Sequence, residues 1–299
     1  MIKKTILTAL LLFILYTIFV IQFAPKWWSA SQHQWQSNVI KAQNFLYDDS
    51  DTIQNVIIGS SLSSRLITDS LPHTYNLSFG GQCIFDGLKI LTHKSKIPRN
   101  IFIEMNYVLR PESKEFTKSL LSPILYYPRK LILSLREDKQ PIAVLGFIQL
   151  VVLEKVKSAF FPIQEYTKKE KVETKSNDSN TLFSKMLSLQ IKEYSQDPDQ
   201  KILDKSFITL KDYILKIENE NKSANIVFFE MPINNKLEDL PKAKVIRETF
   251  YKYFPASKYK YISLPGSFER ETTDGLHLNE DEAIKYTTYL KSENKNYFR

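Results

Sequence analysis

Cysteine is nearly absent: Cys83 stands alone in 299 residues. A single thiol excludes an intrachain disulfide framework and any zinc site built from several cysteines. Glycine is scarce as well, at seven residues beside thirteen prolines, so collagen-like and Gly/Ser-linker compositions are excluded. There is no repeat of fixed period. Charge is not concentrated in one block either. The 41 basic and 33 acidic residues are spread along the chain, and the net charge of +8 favours anionic surfaces without naming one. Nucleic acid is the weakest of those candidates and is not expected as a partner. His33, His73 and His93 have no acidic neighbour at ligand spacing, so neither a metal nor a cofactor is expected. What remains is ordinary: 43% hydrophobic residues are enough for a core, and the length suits one large domain or two small ones.

Charge is missing altogether from Thr5 to Pro25, TILTALLLFILYTIFVIQFAP. These 21 residues reach roughly 31 Å at about 1.5 Å each, the thickness of a bilayer core. A cleaved signal peptide has a shorter apolar region and a small-x-small cleavage site, and the stretch before Lys26 offers neither. The expectation is an uncleaved signal anchor, with Lys3 and Lys4 holding residues 1–4 in the cytoplasm and the rest of the chain outside it. Trp27, Trp28 and Trp35 follow the exit, where indole favours the headgroup layer. Residues 26–50 then read as a juxtamembrane spacer. A second apolar run, Pro141 to Leu153, is too short to span and reads as a buried or membrane-surface helix.

From residue 51 to 299 short β-branched runs alternate with helical stretches, the pattern of a parallel sheet with crossover helices. Strands are expected at Asn55–Gly59, Thr74–Leu77, Asn100–Glu104, Asn225–Glu230 and Tyr259–Ile262. Helices are expected at Ile84–Thr92, Phe207–Glu218, Lys242–Tyr253 and Glu280–Lys291, the last capped by Asn279. About 120 residues separate the third and fourth strands. That excess defines an insertion at about 110–205, with helical segments near Phe116–Leu135, Ala143–Phe160 and Thr181–Tyr194. Its charged tract Tyr166–Asn180 has almost nothing apolar to bury and reads as a solvated loop.

Four strand ends carry chemistry. Gly59-Ser60-Ser61-Leu62-Ser63-Ser64-Arg65 follows the first strand, where an open α/β sheet presents ligand-binding groups, although Gly-Ser-Ser is also common turn chemistry. Asn76-Leu77-Ser78-Phe79-Gly80-Gly81-Gln82 follows the second. Glu104-Met105-Asn106-Tyr107 ends the third. Asp274-Gly275-Leu276-His277 lies near the C-terminus, where a carboxylate three residues before an imidazole can hold Nδ1–H while Nε2 faces a nucleophile.

In this order the motifs resemble the four blocks of the SGNH/GDSL hydrolase superfamily. The resemblance covers roughly residues 53–292, the insertion apart. It implies a three-layer α/β/α sandwich with a parallel, flavodoxin-like sheet, here preceded by one transmembrane helix. By position, Ser61 matches the family nucleophile, His277 the base and Asp274 its orienter. The Ser61 backbone N–H, an N–H of Gly80 or Gly81 and the Asn106 amide match the oxyanion hole. Two departures stand out: serine at position 60 replaces the aspartate of Gly-Asp-Ser, and Glu-Met-Asn-Tyr replaces Gly-x-Asn-Asp. An α/β-hydrolase is the competing serine-enzyme fold, but its Gly-x-Ser-x-Gly elbow is absent, since Ser63 stands where its second glycine would be.

Gly-Ser-Ser with Asp-x-x-His, together with Val227-Phe228-Phe229-Glu230-Met231-Pro232, is similar to the membrane-anchored branch that serves teichoic-acid D-alanylation and exopolysaccharide acetylation. The implied activity is that of a serine esterase or O-acyltransferase on acyl esters of a cell-envelope glycan, with a membrane-bound acyltransferase as a further partner. An inactive binding or assembly protein of the same fold is the alternative. Cys83 is read as a small buried residue without a chemical role, and Tyr107 and Arg110 as candidates to line a cleft.

Overall fold

The computed structural model describes residues 1–23, 31, 33–146, 148–149, 177–266 and 270–298. Lys26, Trp27, Trp28, the end of the second apolar run and residues 166–176 of the charged tract lie outside them. The described chain divides into two compact units. One comprises residues 1–47 with the described part of 118–174; the other comprises residues 48–117 and 175–299.

In the first unit, α1 (Ile2–Phe23) is long and apolar enough to cross a bilayer. The expected spacer contains α2 (Gln34–Tyr47), nine of whose residues are buried, including Val39, Phe45 and Leu46. It is a packed helix of this unit.

The second unit is α/β. Its strands are β1 (Asn55–Ile58), β2 (Thr74–Asn76), β3 (Asn100–Glu104), β4 (Asn225–Phe229) and β5 (Lys260–Ile262). All pair in parallel, in the order β2-β1-β3-β4-β5. Each lies within two residues of its sequence expectation. β1 and β3 are buried throughout, as apolar runs without alternation require when both faces are covered.

The longer helices after α2 are α3 (Ile84–Leu91), α4 (Lys114–Leu121), α5 (Pro123–Leu131), α6 (Asn177–Tyr194), α7 (Gln200–Glu220), α8 (Pro241–Tyr253) and α9 (Glu280–Glu293), of which α5 belongs to the first unit. The helical stretch expected near Phe116–Leu135 is two helices, α4 and α5. Pro123 follows Ser122, and a proline disfavours helical geometry in the residue before it, so Ser122 turns extended and Pro123 opens a new helix. The second half of the helical stretch read over Ala143–Phe160 lies outside the described residues. Asn279 caps α9 as expected, its side chain accepting from the Glu282 N–H at 2.9 Å.

The N-terminal edge of the sheet carries an unexpected feature. Asn55, Asn100 and Asn225 stand in register on three neighbouring strands. Asn225 donates to Asn100 at 2.8 Å and Asn100 to Asn55 at 2.7 Å, while Asn55 donates to the Tyr297 carbonyl at 2.9 Å. At the other edge β1 meets α3 closely. A Cβ at Gly87 would overlap the Ile58 side chain, so this helix needs glycine where it crosses the strand.

Candidate active site

In this sheet β1 is followed by a crossover to one side, toward β2, and β3 opens the path to the other, toward β4 and β5. The crevice at the C-terminal ends of β1 and β3 is therefore where an open α/β sheet binds its ligands. Ser61 lies three residues past β1 and Glu104 closes β3.

The C-terminal motif reaches this crevice by folding on itself. Gly275 adopts φ 93°, a left-handed conformation that glycine takes without strain. Thr272 and Leu278 form an antiparallel bridge on either side, and the Thr273 N–H donates to the His277 carbonyl at 2.8 Å. Inside the turn Asp274 Oδ1 accepts the N–H groups of Leu276 and His277 at 3.0 and 2.8 Å. Its second oxygen, Oδ2, lies 2.7 Å from His277 Nδ1. Nε2 of the same ring lies 2.8 Å from Ser61 Oγ. With Nδ1–H given to the carboxylate, Nε2 keeps its lone pair for the seryl proton. Burial raises the pKa of Asp274, but the bonds from the His277 ring, the His277 N–H and the Leu276 N–H outweigh it and hold the carboxyl well below the usual range. Arg65 ties the two motifs together, donating to the Leu278 carbonyl at 2.7 Å.

A fourth residue, without an assigned role in the sequence reading, supports the serine. Glu104 is fully buried directly beneath the Gly59–Arg65 turn. Its Oε2 accepts the Ser60 N–H at 2.9 Å, the Ser63 N–H at 3.2 Å and the Ser63 hydroxyl at 2.6 Å, and Oε1 accepts the Ser60 hydroxyl at 2.6 Å. Burial raises the Glu104 pKa, and the four bonds pull against that rise without reversing it. The second motif joins the same network: Ser78 Oγ lies 2.9 Å from Ser63 Oγ, and the Asn76 amide donates to the Ser63 carbonyl at 2.9 Å. The signal was present in the two departures noted above. The turn lacks a carboxylate at position 60, and a carboxylate stands instead at position 104.

Gly59 is required by this arrangement. A Cβ there would overlap the Ser63 hydroxyl and the Glu104 carboxylate, both held by neighbours. Gly59→Ala should therefore lower the melting temperature and remove reactivity at Ser61 together, which thermal unfolding and active-site titration of the same preparation would record.

The remaining motif residues are placed less directly. Gly81 has φ 73° in the loop between β2 and α3, and the Gln82 N–H closes that loop onto the Phe79 carbonyl at 3.3 Å. The Asn106 amide is engaged with the backbone at the end of β4: Nδ2 donates to the Met231 carbonyl at 2.9 Å and Oδ1 accepts the Met231 N–H at 2.7 Å. One Nδ2 hydrogen remains for a ligand. Tyr107 packs against the core cluster. Cys83 is buried at the start of α3, and burial pushes its thiol up, away from thiolate chemistry. Among the described residues no group of His, Cys, Asp and Glu side chains could hold a metal ion. A pocket of about 270 Å³ opens at Leu278, the residue after His277, with Pro232, Tyr286 and Tyr289 in its wall and Lys285 and Glu282 at its margin.

Compared with protein-family models, curated proteins and solved structures, the chain matches none. The functional reading therefore rests on the residues and their geometry.

Proposed function

We propose that the chain is a serine-dependent acyl-ester enzyme of SGNH type, tethered by α1 to the outer face of a cytoplasmic membrane. The observation that carries this reading is the continuous hydrogen-bonded series Asp274, His277, Ser61, with steps of 2.7 and 2.8 Å, at the C-terminal edge of a parallel sheet. The strand order 2-1-3-4-5 is that of flavodoxin-like doubly wound sheets and supports the three-layer assignment. Lys3 and Lys4 ahead of the apolar stretch support a cytoplasmic N-terminus.

In this mechanism Ser61 Oγ attacks the ester carbonyl carbon while its proton passes to His277 Nε2. Asp274, kept ionised by its three hydrogen bonds, stabilises the imidazolium that results. The oxyanion faces the Ser61 N–H, an N–H of Gly80 or Gly81, and the remaining Asn106 Nδ2 hydrogen. Collapse of the tetrahedral species breaks the ester C–O bond, and His277 returns the proton to the leaving alkoxide. Water or a sugar hydroxyl, deprotonated by His277, then attacks the acyl-enzyme; the Ser61 Oγ–acyl bond breaks and His277 returns the proton to Ser61. Water gives an esterase; a sugar acceptor gives an O-acyltransferase. The pocket at Leu278, with its aromatic wall, suits part of a glycan substrate, and a cell-envelope polysaccharide matches the membrane tether.

Two measurements test the reading. A fluorophosphonate probe should label the wild-type protein at Ser61. Acetylated oligosaccharides should be turned over, and their products with and without a sugar acceptor separate hydrolysis from transfer. Absence of both labelling and turnover would leave a binding or assembly protein that keeps the fold alone. Asn106→Ala should lower kcat by about 10²–10³ with little change in KM, as loss of one preorganised oxyanion donor does; an unchanged kcat would remove Asn106 from the oxyanion site.

A further inference from the structure

The N-terminal unit has a composition that water does not explain. Helix α5 carries Ile124, Leu125, Tyr126, Tyr127 and Leu131, yet none of its nine residues is buried. Ile124 is 83% and Leu131 81% exposed. The helical residues 141–146 continue the pattern: Ala143 and Val144 are buried, while Ile142 and Leu145 are exposed, as is Ile148 beyond them. A cluster of exposed large apolar side chains on one unit marks an interaction surface.

Its neighbour in the same unit says what covers it. Thr17 Oγ1 of α1 lies 2.8 Å from Ser134 Oγ, and the Tyr16 hydroxyl donates to the Lys139 carbonyl at 2.6 Å. Thr17 is 13 residues past Lys4, about 20 Å along the helix and so in the outer half of a core about 30 Å thick. The segment that follows α5 is thereby fastened to α1 at a depth where lipid surrounds the helix.

Non-helical backbone survives at such depth only when its polar groups are satisfied within the protein. Here they are. Arg136 donates to the last carbonyls of α5, Arg129 at 3.2 Å and Lys130 at 3.5 Å. Arg129 in turn donates to the Ser119 carbonyl at 2.9 Å, and the Glu137 N–H donates to Gln43 Oε1 at 2.8 Å. Lys139 and Asp138 are both buried and form an ion pair at 2.7 Å. Ser134, Asp138 and Lys139 are buried while Ile124, Leu131, Ile142 and Leu145 are exposed, the inverse of a water-exposed connection. Apart from the buried Asp138–Lys139 pair, residues 123–148 hold three basic side chains, Arg129, Lys130 and Arg136, against one acidic, Glu137, a balance suited to anionic headgroups.

We infer that residues 123–148 are a second membrane-contacting element, seated in the outer leaflet beside α1 with Ile124, Leu131, Ile142 and Leu145 among the acyl chains. The occupant of this surface is lipid. The inference rests on the outward orientation proposed above and is independent of any catalytic step.

The test uses the full chain with Cys83 replaced by alanine and single cysteines introduced at Ile124, Leu131 or Ile142, each labelled with a small environment-sensitive fluorophore. These positions are exposed, so substitution there leaves the packing intact. Proteins are reconstituted in phosphatidylglycerol-containing vesicles whose acyl chains are brominated. Fluorescence at all three positions should be lost to the same degree as for a label at Leu12 on α1, and aqueous iodide should not reach them. A label at Ile202 on α7 should behave oppositely. Quenching at Leu12 but iodide quenching at 124, 131 and 142 would overturn the inference while sparing the anchor. Access of neither quencher at those three positions would also overturn it, indicating a protein cover. Failure at Leu12 itself would sink the spanning reading of α1, and this inference with it.

Discussion

Ser61→Ala should lose turnover by about 10⁴–10⁶ and all fluorophosphonate labelling, while its melting temperature stays near that of the wild type. The hydroxyl is half-buried and meets the His277 ring at 2.8 Å, so its removal orphans no buried backbone group. His277→Ala should match it, because a nucleophile without its base is as idle as a base without its nucleophile. The double variant should be scarcely worse than either single one, since residues acting as a unit are not additive. Asp274→Asn should be comparable or milder in rate. Activity retained in Ser61→Ala but lost in Ser60→Ala or Ser63→Ala would shift the nucleophile; wild-type rates in all three would end the catalytic reading.

Asp274 also gives this experiment a stability signature. Its folded-state pKa is depressed, so the stability it contributes is present above the ordinary aspartate value of about 3.9 and is lost as pH falls through and below it. The melting-temperature difference between wild type and Asp274→Asn should therefore shrink on acidification.

The second large effect is expected at Glu104. Glu104→Ala leaves the buried N–H groups of Ser60 and Ser63 without partners, at about 1–3 kcal/mol each, and their hydroxyls as well. The turn should sag, and misplacing Ser61 by even an ångström costs about 10²-fold in rate. Glu104→Gln discriminates between positioning and mere bulk. Its amide oxygen can take the place of Oε2 and keep both backbone bonds, while its NH₂ donates to a rotated Ser60 hydroxyl. Gln should therefore restore much of kcat that Ala loses, with KM similar in both. The sign of the pH effect is opposite to that at Asp274. The Glu104 pKa is raised, so its contribution is complete below the ordinary glutamate value of about 4.3 and is lost as pH rises through the folded value. Wild type should lose ground against Glu104→Gln as pH increases. Equal rates in the Ala and Gln variants would show that the carboxylate does not position the serine.

The sheet was readable because buried parallel strands are short apolar runs set off by turns, and NVII, NIFIE and NIVFF have that form. Ser61, Asp274 and His277 were readable because each follows a strand or fills a tight turn, where the fold leaves little choice of side. Glu104 was visible only as a departure from a pattern. Nothing local in NIFIE tells that its last side chain turns under a loop 41 to 44 residues earlier and meets four donors there. The N-terminal unit was hidden for a related reason: α2 and residues 118–149 are joined by contacts far apart in sequence, and an apolar helix reads the same whether protein or lipid covers it. The break at Pro123 was legible in principle, but the apolar periodicity on both sides of it concealed the interruption.

The asparagine row at the bottom of the sheet bears on the serine at the top. Three amides linked side to side fix which residue of β1, β3 and β4 is level with which, and a slip of one residue would unpair every one of them. From that baseline Ile58 is level with Ile103 and Glu104 with Phe229. The height of the carboxylate beneath the Ser60–Ser63 turn is thus indexed from the opposite edge, about 13 Å away along four residues of strand. A substitution such as Asn100→Leu would touch no reacting group, yet it would loosen the alignment by which the turn and its support are brought to the same level.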